Sequence, residues 1–391
     1  MTPLVTSSYA TWIVARVGFV LLLAVGVFQS RPGGLRAADN DWEITVDSEA
    51  AVKRGLDWLV RNQGPEGNWE SNDLGLVGMG ALAFLSAGHS PGVGRNGQAC
   101  ERALNYVLKN AKPSGLLNIA DAQRDMYNHG LATFVLGQAH GMTADQRISP
   151  VLDRALKLIA NTQCNDGGWD YRAKSQAQGH DLSLVVMQAK ALRSAVDSGL
   201  EVPPEVIDQA IKSVREHYNP ADGRRDASEA DQQKVAGQFS YTKGGGQATI
   251  AMAAAGVVCL QEFGQYDDWR IPKNMDIIAA AIKQQKSQGR NGQVPFDGYT
   301  LYYVGQALYQ VDGKYWIDNY PKLRDLIVAG QVQELKNPQR DGAWQSGGHL
   351  GGRPGELYGT SVACFVLSMP NRYLPILQEG KIDALRKFQP K

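Results

Sequence analysis

Two short stretches decide the fold: Gln63-Gly64-Pro65-Glu66-Gly67-Asn68-Trp69 and Gln163-Cys164-Asn165-Asp166-Gly167-Gly168-Trp169. Both read Gln-x-x-x-Gly-x-Trp. The spacing recurs in Gln233, Gly237 and Phe239, with Phe for Trp, and in Gln288, Gly292 and Val294, with an aliphatic residue. Two weaker copies complete the series. Gly115 and Leu117 follow Ala111 where Gln is expected, and Gly342 and Trp344 follow Pro338, with Gln339 one place late. Successive motif glycines stand 48, 52, 70, 55 and 50 residues apart, and the one long interval holds a polar stretch, Asn219 to Lys234, read as an insertion loop. Such a period marks supersecondary units that stack.

Between these loops two kinds of helical segment alternate. Segments ahead of a motif, such as Ser48 to Asn62, Arg147 to Thr162 and Pro203 to His217, are charged on one side and carry Leu, Ile, Val or Trp at helical spacing on the other. Segments after a motif, such as Leu74 to Ala87, Leu182 to Ala195, Gln247 to Cys259 and Tyr358 to Met369, are poor in charge and dense in Ala, Gly and Val. Helices apolar nearly all round are buried, and small residues let them approach closely. The pattern predicts six helical hairpins with an inner ring enclosed by amphipathic outer helices. The last inner segment stays apolar where an open solenoid needs a polar cap, which favours closure.

The motif resembles the QW repeats of squalene and hopene cyclases and the corresponding repeats of protein prenyltransferase β subunits, over about residues 48 to 370. That resemblance implies an all-α (α/α)6 toroid over residues 45–375, with a central cavity that takes an isoprenoid or other apolar ligand. It also implies that the motif Gln and Trp tie repeats together, so Trp69, Trp169 and Trp344 are not expected in catalysis. Signature residues of the chemistry are missing. There is no Asp-x-Asp-Asp acid to protonate an alkene, and no Asp-Asp-x-x-Asp metal motif. Asp297-Gly298-Tyr299 has Tyr where prenyltransferases hold zinc with Cys, and Gly359 stands where they have His. Neither metal nor cofactor is expected, and catalysis, if present, would be of the cyclase type.

If the hairpins alternate, every inner helix starts at one mouth of the cavity, the default site. Asp73, Asp125, Tyr127, His129, His180, Asp181, Asp297, Tyr299, Glu356 and Tyr358 fall there. The cluster Asp125-Met126-Tyr127-Asn128-His129-Gly130 is the first choice for chemistry, because a carboxylate four residues before an imidazole shares its helix face and raises its basicity. Asp125 and His129 are thus the candidate catalytic pair, and Tyr127, Asp181, Asp297, Tyr299, Tyr303 and Tyr358 the candidate ligand-binding residues. Each Asp also suits an N-cap, which alone accounts for an acid at a first turn. The ring-rich stretch Phe296, Tyr299, Tyr302, Tyr303 and Tyr309 can line a cavity or pack a core.

Hydrophobic content of 43% against 20% charged residues provides area for a large core, and a net charge of +1 excludes the basic excess that nucleic-acid binding needs. Arg16 precedes the apolar run Val17 to Phe28, followed by a Pro-Gly segment and Ala37-Ala38. Residues 1–38 read as a secretory signal and leader, with an uncleaved membrane anchor as the alternative. Residues 376–391 read as a tail. Cys100, Cys164, Cys259 and Cys364 have no metal or redox spacing. Three functions compete on this reading: an exported isoprenoid-binding or cyclase-like toroid, a non-catalytic module that presents its rim to an envelope protein, and a carbohydrate-active toroid enzyme with paired carboxylates.

Overall fold

The computed structural model describes residues 42–287, 289, 292–334, 337–348 and 352–378, without the side chains of 352 and 353. The expected leader, the tail beyond 378 and Gln288 lie outside these residues.

The helices in chain order are α1 (Val46–Asn62), α2 (Leu74–Ser86), α3 (Gly94–Lys109), α4 (Asp125–His140), α5 (Ile148–Thr162), α6 (Leu182–Asp197), α7 (Pro204–Glu216), α8 (Glu229–Gln232), α9 (Ile250–Glu262), α10 (Arg270–Gln284), α11 (Gly298–Val311), α12 (Gly313–Gly330) and α13 (Gly352–Ser368). Short strands β1 (Tyr218–Pro220) and β2 (Gly237–Phe239) pair antiparallel and bracket α8 within the insertion. No helix among the described residues is long and apolar enough to cross a membrane.

Packing divides the helices as their polarity predicts. In α5 the buried residues Ile148, Val151, Leu152, Ala155, Leu156 and Ile159 form one stripe, whereas every residue of α2 is buried. Six inner helices, α2, α4, α6, α9, α11 and α13, each contact two inner neighbours, and the circle is completed by α13 against α2. Outside run α1, α3, α5, α7, α10 and α12. This is an all-α toroid. Its inner helices approach closely: a Cβ placed on Gly137 of α4 would lie 2.1 Å from Ser194 Oγ of α6.

The loops between outer and inner helices bind one helix pair to the next. Gln63 caps the end of α1, and its amide donates to the Gly67 carbonyl and, at 2.6 Å, to Ala99 in α3. Its oxygen accepts from Arg102 at 2.6 Å. Gln163 joins Gly167 to Val206 of α7 in the same way. Trp69, Trp169 and Trp344 donate from Nε1 to Leu59, Ile159 and Ile327, pinning each loop to its own outer helix. At Gly67, where φ is +84°, a side chain would also strike the Arg102 backbone at 2.7 Å.

Two motif assignments change. In the sixth loop the tie is made by Gln331, which donates to Ala51 of α1 and to Gly342 while accepting from Arg54, so neither Pro338 nor Gln339 holds that place. Extra residues between Gln331 and Gly342 hide it from fixed spacing. In the fourth loop Gln233 is exposed at the end of α8, and His217 caps the outer helix α7 instead. The contact from Gln331 to Ala51 links the loop after α12 to α1.

Candidate functional site

Among the described residues, three inner helices are capped by aspartate and one by threonine. Asp73 accepts from Leu76 N, Asp181 from Ser183 N and Leu184 N, Asp297 from Tyr299 N and Thr300 N, and Thr249 from Met252 N. Capping turns these side chains toward the mouth of the ring, where helix dipoles present their positive ends.

A chamber of about 540 Å³ opens there. Its floor is Leu76, Leu131, Met187 and Ala251, and its walls are Tyr127, Tyr241, Tyr299 and Tyr358. Polar groups occupy one side. Arg124 pairs with Asp73 at 3.1 Å, and the Asn128 amide lies between Asp73 and Asn118. Asp297, whose second oxygen accepts from the Thr300 hydroxyl at 2.7 Å, faces them with the Ser346–Gly348 loop.

Behind the wall runs a chain of hydroxyls. Tyr127 bonds to Ser183, Ser183 donates to Asp181, and Tyr171 donates to the other oxygen of Asp181 at 2.5 Å. The Tyr299 hydroxyl lies near Ser183 and Tyr241 without a hydrogen bond of good geometry. Burial first, and then the negative charge of Asp181, holds the Tyr127 phenol well above its ordinary pKa. Burial raises Tyr241, Tyr299 and Tyr358 in the same direction. These phenols stay neutral in ordinary buffers, so each offers a ring face, one O–H donor and one acceptor oxygen.

Of the expected ligand-binding residues, Tyr127, Asp297, Tyr299 and Tyr358 line the chamber. Asp181 stands one layer back behind Ser183, and Tyr303 is fully buried, its ring 5.0 Å from that of Tyr299 and its hydroxyl on the Met187 sulfur. Asp125 and His129 are not among the lining residues. Asp125 accepts from Asn118 at 2.8 Å and from Ala173 N at 3.3 Å. The His129 ring is fully buried, accepting from Leu117 N at 3.1 Å and lying 3.1 Å from the Ala155 carbonyl, so Nε2 carries the proton. The expected rise in basicity is corrected: burial outweighs the nearby Asp125 charge and lowers the imidazole pKa to about 4. His180 is exposed beside Tyr171, and Glu356 pairs with Arg340 at 3.5 Å.

Residues outside the expected set also line the chamber: Arg124, Asn128, Met187, Tyr241, Thr249 and Ser346. Asn128 was within the cluster singled out in the sequence; Tyr241 and Ser346 come from loops whose folding no periodicity reports. Among the described residues, no group of three His, Cys, Asp or Glu is placed to hold a metal ion, and the four cysteines are free and buried.

No family model and no curated protein matches the chain. Solved structures do. A cellobiose 2-epimerase from Bacillus thermoamylovorans B4167 is similar at 9% identity and TM-score 0.56, covering 83% of this chain and 98% of that one. A D-mannose isomerase gives 11%, 0.54, 85% and 100%. An inactive variant of an α-1,6-mannanase of Salegentibacter sp. HEL1_6, in complex with α-1,6-mannotetrose, gives 10%, 0.53, 83% and 100%. At such identities the likeness is one of fold, the α/α toroid.

Proposed function

We propose that the protein is a carbohydrate-active toroid whose central chamber takes a short saccharide. The observation that supports this most is that neutral phenols and planar polar side chains share one small chamber: Tyr127, Tyr241, Tyr299 and Tyr358 together with Asp73, Arg124, Asn128 and Asp297. A sugar ring presents C–H faces, which pack on aromatic rings, and hydroxyls that both donate and accept. An isoprenoid chain, the expectation raised by the repeat resemblance, gains from the apolar floor. It would also strip water from Asp73, Arg124 and Asp297 and return no hydrogen bond. Structural similarity to a cellobiose 2-epimerase, a D-mannose isomerase and a mannanase supports the same choice.

Recognition is better supported than hydrolysis. Glycosidic cleavage needs two carboxyl groups free to act as acid and as base or nucleophile, whereas Asp73 and Asp297 both cap helices and hold a second partner. Calorimetric titration of the chain with mannobiose, cellobiose and farnesol tests the reading. A saccharide is expected to bind, with Tyr241→Ala weakening it at least tenfold. Farnesol bound tightly with neither sugar taken up would sink it.

A further inference from the structure

The C-terminal ends of the inner helices enclose a second cavity, of about 710 Å³, at the other end of the barrel. We propose that it is a binding site for a primary ammonium group, held by Glu262 and Gln310.

The argument begins with atoms that lack partners. Glu262 is 1% exposed, lines the cavity and has one oxygen engaged, Oε1, which accepts from Lys190 at 3.2 Å and Gln310 at 2.8 Å. Its Oε2 has no partner among the described residues. The Gln310 amide is oriented by its bond to Glu262, which leaves its oxygen also without a partner. Asp197, in the same charge cluster, has a second unpartnered oxygen. All three orphans are acceptors. A buried acceptor left unpaired is costly, so this end of the barrel is shaped for a donor.

Charge selects which donor. Lys190, Arg193 and Arg372 are the cations here, facing the carboxylates Glu43, Asp197, Glu262 and Asp312. Among the described residues that is three positive against four negative charges, which favours a cation over a neutral donor. Helix dipoles add to this, because the ring presents its negative ends on this side. An ammonium carries three N–H donors, enough for both orphaned oxygens of the cavity lining, Glu262 Oε2 and Gln310 Oε1. A divalent metal fits less well: it asks for six or more oxygens, and Lys190 already stands against Glu262. Tyr266 and Tyr309 in the wall supply ring faces for the attached carbon chain.

Titration of the intact chain with n-butylamine, 1-butanol and tetramethylammonium distinguishes charge from donors. Butylamine should bind one site and raise the unfolding temperature. The alcohol, of equal length but uncharged, and tetramethylammonium, charged but without N–H, should each bind at least tenfold more weakly. Glu262→Gln should weaken butylamine at least tenfold; because this change also touches Lys190, Gln310→Met provides a second variant, expected to weaken it three- to tenfold. Equal binding of butylamine and butanol, or wild-type butylamine affinity in both folded variants, overturns the proposal.

Discussion

The two ends of the inner ring are made by the same six helices and solve opposite electrostatic problems. At the N-terminal end, carboxylates sit where helix dipoles and unpaired N–H groups welcome them: Asp73, Asp181 and Asp297 each accept from backbone and from a side chain. At the C-terminal end Glu262 stands against the dipoles, fully buried, and depends on Lys190, itself buried over the Phe134 ring at 4.2 Å and bonded to Gln306. One end is stabilised by its acids. The other carries an acid that must be neutralised, which is why that end points to a ligand rather than to stability.

The largest way to break the comparison is to remove the neutralising charge. Lys190→Met leaves Glu262 buried without a cation and should cost about 3–5 kcal/mol in urea unfolding, while the double variant Lys190→Met, Glu262→Met should recover most of it. A single variant as stable as wild type would mean that Glu262 is held by something other than Lys190.

A smaller effect comes from a buried ring in α4, behind the chamber of the other end. In the folded chain His129 has a pKa of about 4, below the 6.5 of an unfolded histidine, so between these values the unfolded state binds more protons. Stability is therefore fully present above pH 6.5 and falls as pH drops toward 4, by about 3 kcal/mol for this group. Gln at position 129 can accept from Leu117 N and donate to the Ala155 carbonyl, so His129→Gln should lessen the loss over that window by the same amount. Unfolding free energies at pH 7, 5.5 and 4 measure it. An unchanged slope would place the titration elsewhere, His217 being, among the described residues, the other histidine lowered to about 4.

The alternation of wet and dry helices was legible because burial follows polarity along each helix: α2 contains no charged residue, and α5 alternates on a helical period. Aspartate caps were legible for the same local reason. What was hidden depends on contacts distant in sequence. Gln331 ties the last loop to Ala51, 280 residues away, across an insertion that breaks the spacing. Tyr241 reaches the chamber from the loop after β2, and Asp125 and His129 looked like a catalytic pair because a helix puts them on one face; nothing in the sequence says that Leu117, Ala155 and Asn118 close over that face. Lys190 lies in the Ala- and Val-rich α6, and its partners, on α9 and α11, are not legible in the sequence.

The finest test asks whether an acid at the welcoming end does more than cap. Asp297→Ala removes the oxygen that accepts from Tyr299 N and Thr300 N and should cost about 1 kcal/mol, whereas Asp297→Asn keeps an equivalent cap and should change stability by only a few tenths. The two variants separate geometry from charge. If the carboxylate also accepts from a sugar hydroxyl, the Asn variant should unfold like wild type yet bind the saccharide several-fold more weakly, because a bond to a charged acceptor is about twice as strong as a neutral one. If Asn binds the sugar as wild type does, the charge at Asp297 answers only to the helix beneath it, and recognition at that end rests on the phenols and on Arg124 with Asp73.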